Sequence, residues 1–357
     1  MQKLLIISKE QFGYHTDIFK WCEHLRDEYA IEIITFEGKP KIGLKGIKNY
    51  YVSNKGQRSI RGLRYILTCL WHILFFKGII VVCYFKECRI FKICFPWKKM
   101  LLDIRTLDVS NDKATRNAED AIIKKSTDIY DYVTIISEGL RKKLNLPESK
   151  SAILPLGADE ASTTIKTFKK LHLLYVGTLF NRDIHKTIEG LSIALKEEPT
   201  IDIHYDIIGE GVANELEELK NLVTEKGLED HITLHGYIQH EELKPFLDNC
   251  NIGVSFVPVT EYYEHQPATK SFEYILSGLY TIATGTYCNK EIITKKNGVI
   301  IEDTPESFAE SIIDIFHRKE EIDGSEISKT LSGYKWENVV NKQMKNILNH
   351  YYKKYHL

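Results

Sequence analysis

The chain has 357 residues, 43% of them apolar, enough to bury two ordinary cores, so about two domains are expected. Its seven cysteines form no short-spaced pairs and no signal peptide precedes the first strand, which argues against a disulfide scaffold and points to the cytoplasm. The net charge of −1 hides an asymmetry, since residues 1–160 carry 27 Lys and Arg against 19 Asp and Glu while the remainder carries 21 against 30.

In chain order, residues 3–8 read as a fully buried strand, 16–29 as a helix and 31–36 as a second strand, the opening of a parallel α/β unit. Gly13, Tyr14 and His15 follow the first strand directly and would line a ligand wall. The stretch Ser-Lys-Glu-Gln-Phe-Gly before them matches neither of the glycine-rich phosphate fingerprints, so this wall is expected to hold an acceptor rather than a nucleotide.

Residues 39–99 hold 14 basic side chains opposed by Glu87 alone, interleaved with aromatics such as Tyr50, Trp71, Phe75 and Trp97. That mixture suits peripheral contact with an anionic bilayer, at the inner face of a membrane, or an acceptor carrying a lipid phosphate. Nucleic acid would use the same charges, but none is expected as a partner; an ordinary solvated basic face is the plain alternative. Within the segment, residues 65–76 are predominantly apolar and Lys77-Gly78 separates them from the apolar run 79–85. A membrane span needs roughly 20 apolar residues without such a charge, so a buried helix entering a central strand is expected, with a lipid-facing role for the helix left open.

Strands at 100–104, 132–136 and 152–154 and helices at 115–129 and 138–145 continue the pattern. Asp103 and Arg105 leave the strand at 100–104, where each could contact a substrate or the two could form a structural pair. Cys83, Cys88 and Cys94 lack metal-ligand spacing, and no metal is expected. Apolar density then collapses between 156 and 170, an interdomain linker.

The second half repeats the logic, with strands at 171–176, 201–208, 231–235, 251–256, 280–283 and 299–301 and helices at 184–197, 212–226, 240–249, 267–277 and 305–318. The expected division is an N-terminal acceptor-binding domain at 1–160, a C-terminal nucleotide-sugar-binding domain at 161–334, and a final helix in 335–357 crossing back onto the first domain. The fold class is α/β, two Rossmann-like doubly wound domains facing a central cleft, with ligands at the carboxyl ends of the strands.

Several motifs fall at those strand ends. Gly177 and Thr178 close the strand at 171–176, and Arg182 and Lys186 follow as cations suited to a diphosphate. A surface arginine after a loop glycine is the bland alternative. Gly209 ends the next strand in Asp-Ile-Ile-Gly-Glu-Gly, a weak signal by itself. Tyr237 lies where backbone could read a flat base, or where it simply caps the sheet edge. The run 265–278 is the most informative: His265, then Pro267, Thr269 and Lys270 leading into a helix that carries Glu273 and ends at Gly278. A helix start with free N–H groups, a lysine beside them and a carboxylate one turn on would meet the diphosphate and ribose of a sugar nucleotide.

The runs Tyr-Val-Gly-Thr-Leu (175–179), Ile-Ile-Gly-Glu-Gly (207–211), His-Gly-Tyr (235–237), the helix and strand at 241–255 and Pro-Ala-Thr-Lys-Ser-Phe-Glu-Tyr-Ile-Leu-Ser-Gly (267–278) together resemble family 4 (group 1) glycosyltransferases of the GT-B fold. The resemblance implies a retaining, metal-independent hexosyl transfer from a nucleoside diphosphate sugar to a saccharide or lipid-linked saccharide, with no cofactor, as in envelope polysaccharide assembly (capsule, O-antigen or exopolysaccharide). It also implies that Glu273 contacts the donor ribose, that His265 stands where the family has a second acidic residue, and that Arg182 with Lys186 replaces the arginine usual at Thr178. Arg105 stands where the family often has a histidine. A non-catalytic sugar-nucleotide or lipid-binding protein and a sugar-nucleotide epimerase remain the alternatives.

Overall fold

The computed structural model describes residues 1–110 and 112–356. It divides into two compact units, one formed by Met1–Leu156 with Trp336–Leu357 and the other by Gly157–Lys335.

The first unit runs β1 (Gln2–Ile7), α1 (Thr16–Leu25), β2 (Tyr29–Glu37), β3 (Ile47–Ser53), α2 (Arg58–Phe75), β4 (Ile79–Cys83), α3 (Arg89–Cys94), β5 (Leu101–Ile104), α4 (Lys113–Ile129), β6 (Tyr132–Ile135), α5 (Glu138–Lys143) and β7 (Ser151–Ile153). Its strands form one parallel sheet in the order β3-β2-β1-β4-β5-β6-β7. β1 and β4 lie at the centre because their residues are apolar on both faces, which a parallel sheet covered by helices requires.

The second unit runs β8 (Leu171–Val176), α6 (Ile184–Glu197), β9 (Ile203–Ile208), α7 (Glu215–Lys226), β10 (Ile232–Gly236), α8 (Lys244–Asn249), β11 (Ile252–Ser255), α9 (Thr269–Leu276), β12 (Tyr280–Thr284), α10 (Tyr287–Ile292), β13 (Gly298–Ile301) and α11 (Pro305–Arg318). The sheet is again parallel, in the order β10-β9-β8-β11-β12-β13. In each sheet the winding direction reverses once, at β1/β4 and at β8/β11, and such reversals open a crevice at the strand carboxyl ends. The chain ends with α12 (Trp336–Asn338), a π-helical turn Val339–Met344 and α13 (Lys345–Tyr355). These bury Trp336, Val339, Val340, Met344, Leu348 and Tyr351 in the same core as Ile18, Trp21 and Leu25 of α1.

The structure departs from the sequence reading at several elements. β3 was not expected, because Ile-Lys-Asn-Tyr-Tyr-Val-Ser has no continuous apolar run; it is an edge strand and only Val52 is fully covered. The short helices α3 and α10 were likewise missed. The helix expected at 240–249 is a 3₁₀ turn, His240–Glu242, followed by α8. α9 begins at Thr269 rather than in the turn containing Pro267, since Ala268 holds an extended backbone. α2 is not buried: Tyr65, Cys69 and Ile73 alone are fully covered along its length. Among the described residues no helix is long and apolar enough to cross a membrane.

The ends of β8 and β9 touch through backbone. Gly177 N–H donates to Ile208 O at 3.0 Å, and a Cβ on Gly209 would lie 1.8 Å from the Gly177 carbonyl oxygen. Gly209→Ala should therefore lower stability by about 3 kcal/mol or prevent folding. Gly62→Ala in α2, where open space surrounds the position, should add up to about 1 kcal/mol. Urea denaturation of the two variants checks both directions.

Candidate functional site

The crevice of the second unit forms where β8 and β11 separate. They pair only through Ile252 with Leu173 and Gly253 with Leu174. Beyond that point the Val176 N–H is taken by the Tyr274 hydroxyl at 2.7 Å, which docks α9 against the end of β8. Ser271 fixes the other side of α9, its Oγ lying 2.7 Å from Ser255 Oγ and donating to Asn289 Oδ1 at 2.9 Å. No side-chain oxygen caps the start of α9 among the described residues, so although the Ser271 N–H donates to Ala268 O at 3.0 Å, the Thr269 and Lys270 N–H groups and the positive end of the dipole are available to an anion.

Lys270 stands in this first turn. Its Nζ is sealed from solvent, has no hydrogen-bond partner among the described residues, and sits 3.8 Å above the centre of the Tyr175 ring. Gly177 makes room for it, since a Cβ there would come within 2.9 Å of Nζ. Burial and then the nearby Arg182 cation pull the lysine pKa down to about 7, while Glu273 opposes them weakly. A buried, unpaired ammonium is costly, and an anion arriving beside it would remove that cost.

Arg182 is held for the same region. Its Nη1 donates to Asn181 O at 3.0 Å and to the Tyr263 hydroxyl, and the guanidinium lies 4.6 Å over the Tyr263 ring. Tyr175 opens the run 175–179 without a role being legible for its ring, and nothing in the spacing joins Tyr263 to residue 182. Glu273 is half-buried one turn after Lys270, and burial raises its pKa against the lowering effects of His240 and Lys270. Lys186 instead pairs with Asp183, Nζ to Oδ2 at 3.0 Å, so its charge is already engaged. A cavity of about 290 Å³ beside Asn181 and Asp183 also has Glu215, Glu218 and His185 in its wall, an excess of acids that does not suit a phosphate.

The remaining expected positions of this unit separate. Thr178 is exposed and its carbonyl accepts from the Tyr175 hydroxyl at 2.5 Å, which pins the turn after Gly177. Thr269 is exposed at the start of α9, whereas Pro267 precedes the helix. Gly209 is required by the backbone of Gly177, as described above. Tyr237 is 66% exposed beyond β10. His265 packs edge-on to Tyr287, ring centres 5.0 Å apart.

In the first unit, Gly13 adopts φ 94° and abuts the Ile42 side chain, and the Tyr14 hydroxyl donates to Pro40 O at 3.0 Å. His15 is the N-cap residue of α1, and its Nδ1 is sealed without a partner. Arg105 and Asp103 belong to the framework. Arg105 donates through Nη1 to Leu154 O at 2.6 Å and through Nη2 to Pro155 O at 3.3 Å, and its Nε lies 2.6 Å from Asp17 Oδ2. Asp103 is 1% exposed and accepts from Thr134 Oγ1 at 2.7 Å. Burial raises the Asp103 pKa and Arg105 opposes the rise.

Residues 160–324 match the family model of glycosyl transferases group 1. No curated protein matches the chain. Among solved structures, sucrose-phosphate synthase from Thermosynechococcus elongatus is similar over 99% of this chain and 100% of its own, with a TM-score of 0.75 and 16% identity. Anabaena HepE in complex with UDP matches over 98% of this chain and 100% of its own, with a TM-score of 0.75 and 12% identity. The lipopolysaccharide outer core galactosyltransferase WaaB, in its apo form, matches over 99% of each chain, with a TM-score of 0.74 and 15% identity. The fold is that of GT-B glycosyltransferases.

One charged group on the second GT-B sheet was not anticipated. Asp206 accepts from His172 Nε2 and His235 Nε2, each at 2.7 Å, with His204 Nε2 at 3.5 Å and Cys250 Sγ at 3.8 Å. The ligand atoms of His172, Asp206 and Cys250 lie within 4.8 Å of one another. Burial would raise the Asp206 pKa, but the hydrogen bonds and charges of His172 and His235 bring it down to about 2. A carboxylate depressed in the folded state contributes stability above its unfolded pKa, near 3.9, and loses that contribution as pH falls toward 2. Asp206→Asn should therefore cost about 2 kcal/mol at pH 6 and flatten the loss of stability between pH 5 and 2, read by urea denaturation across that range.

Proposed function

We propose that the second unit binds the diphosphate and ribose of a nucleoside diphosphate sugar, and that the protein transfers the sugar to a saccharide or lipid-linked saccharide. The observation that carries this reading is the sealed, unpaired ammonium of Lys270 at an uncapped helix start, with the guanidinium of Arg182 close enough to lower its pKa. Two cations and a helix dipole converge there with no anion of the protein hydrogen-bonded to Nζ. A diphosphate supplies the missing charge, and the match of residues 160–324 to group 1 glycosyl transferases supports that ligand.

In this reading Lys270, Arg182 and the N–H groups at the start of α9 stabilise the charge that grows on the leaving phosphate as the sugar C1–O bond breaks. Such a field suits metal-independent transfer. Glu273 accepts from the ribose hydroxyls, Thr178 and the Gly177 backbone border the phosphates, and His265 lies toward the sugar. We place the transfer in the retaining class. The acceptor oxygen bonds to C1 on the face the phosphate leaves, and its proton passes to that phosphate, so no protein base is called for. Asp103, sealed and bonded to Thr134, agrees with that course. The basic first unit favours an envelope saccharide as acceptor, and the acceptor wall is assigned to Gly13, Tyr14 and His15.

Proton linkage tests the reading. With a pKa near 7, Lys270 is mostly neutral at pH 8, and a bound diphosphate favours its charged form. Binding of inorganic pyrophosphate or a nucleoside diphosphate should then take up close to one proton at pH 8 and weaken by up to about tenfold per pH unit between pH 7.5 and 9. Calorimetric titration in buffers of different ionisation enthalpy reads the uptake. Lys270→Met should abolish it and weaken binding by about 30-fold or more. Glu273→Gln should weaken nucleoside diphosphates while leaving pyrophosphate unchanged. Donor hydrolysis in the absence of acceptor identifies a transferase, whereas tight binding without turnover identifies a binding protein. Pyrophosphate affinity unaffected by the lysine variant overturns the site.

A further inference from the structure

The outward face of α2 is apolar. Leu63, Leu67, Trp71 and Phe75 are 55–65% exposed, spaced four residues apart, and Ile60 and Leu74 extend the stripe. With 3.6 residues per turn, these positions lie on the side of the helix opposite Tyr65, Cys69 and Ile73, which face the core. α3 packs beside α2, and Lys98 Nζ donates to Phe76 O at 2.7 Å, drawing the segment after α3 to the end of α2. That neighbour adds Ile93, 64% exposed, and Trp97, 65% exposed. A soluble surface helix carries its polar residues on this side, and an exposed apolar stripe running the length of α2 marks an interaction surface.

Charge identifies the occupant. Arg58 and Arg64 are exposed near the start of the stripe and Lys77 at its end, within a segment of 14 basic residues and one acid; of the basic residues, Lys41, Lys86, Lys92 and Lys99 pair with acids outside the segment. That acid, Glu87, is paired with Lys9. Glu32, which lines the hollow beside Trp71 and Phe75, accepts from the Tyr50 hydroxyl at 3.0 Å. Two copies of such a face would repel one another, whereas a surface of acyl chains beneath anionic headgroups satisfies both components. We infer that α2, with Ile93 and Trp97, docks the first unit onto an anionic lipid bilayer by shallow insertion of its apolar stripe. The inference stands on the first unit alone and does not depend on the donor site.

Tryptophan fluorescence reports this face selectively, because Trp71 and Trp97 are exposed while Trp21 and Trp336 are buried and no other tryptophan is present. The full chain is mixed with vesicles of phosphatidylcholine alone or with about 30% phosphatidylglycerol. The anionic vesicles should sediment the protein, shift its emission to the blue and, with brominated lipid, quench it; salt of about 0.5 M should weaken binding. The Leu67→Ser/Trp71→Ser/Phe75→Ser variant retains Trp97 as reporter and should bind about tenfold or more weakly. Its circular dichroism and its affinity for nucleoside diphosphate should stay unchanged, so a lost surface is distinguished from a lost fold or a failed donor site. The Arg58→Glu/Lys77→Glu variant should bind anionic vesicles more weakly as well. Three results overturn the inference: no vesicle binding, equal binding to neutral vesicles, or a concentration-dependent dimer that the triple variant abolishes while vesicles have no effect.

Discussion

The chemistry of the second unit depends on how α9 is fastened. β8 and β11 run parallel only as far as Leu174 and Gly253, and past that point a backbone N–H of β8 would be left unpaired inside the protein. The Tyr274 hydroxyl takes it, and Ser271 reaches Ser255 and Asn289 on the other side. Buried polar groups of this kind fix one orientation, because slipping by a single position would leave each of them unsatisfied. With the helix so fixed, Lys270 has nowhere to go but over the Tyr175 ring, into space that exists because residue 177 is glycine. The sealed ammonium follows from the way the sheet divides.

Much of the architecture was legible in the sequence because parallel strands buried on both faces are continuous apolar runs, and β1, β4, β8 and β12 could hardly be read otherwise. The stretch 265–278 was legible too, through its polar loop, its terminal glycine and the lysine and glutamate placed one turn apart. What escaped the reading was what only the third dimension supplies. Tyr175 and Tyr263 look like ordinary core and loop aromatics, and the sequence does not say that one floors Lys270 while the other holds Arg182. Arg105 drew attention as a charge at a strand end, yet its guanidinium is occupied by Asp17 and the carbonyls of Leu154 and Pro155. The length of the apolar run 65–76 and its Lys77-Gly78 break predict a buried helix with a lipid-facing role left open; the apolar residues cover both sides of α2, and only packing shows which side meets the core.

The two units share a fold and use charge differently. At the carboxyl ends of the first sheet Arg105 is closed by Asp17 and one oxygen of Asp103 by Thr134, although Asp103 Oδ2 and His15 Nδ1 have no hydrogen-bond partner among the described residues. A neutralised wall of that kind suits an uncharged acceptor, which brings hydroxyl groups and no counter-charge. At the corresponding end of the second sheet the Lys270 ammonium has no hydrogen-bond partner among the described residues, which suits a ligand carrying its own negative charge. The proposed division of labour between the units would then rest on which charges are closed within the protein and which stay open.

Backbone strain falls on the open side. Asn181 and Asp183 adopt φ of 54° and 51° on either side of Arg182, and Ala213 adopts 52° in the loop after β9. Asn and Asp tolerate this left-handed region, as Asn145 of the first unit also does, whereas Ala213 enters it at a cost of order 1 kcal/mol. Each of these loops leaves a strand at the same end of the sheet, where the desolvated Lys270 adds a further penalty. A protein selected only for stability would replace the lysine with methionine and relax the turn. These residues and the unpaired charge meet at one sheet edge, beside the reversal of winding, and the proposed anion would offset the charge penalty there. The parallel sheet beneath, buried on both faces, supplies the stability against which such local penalties can be carried.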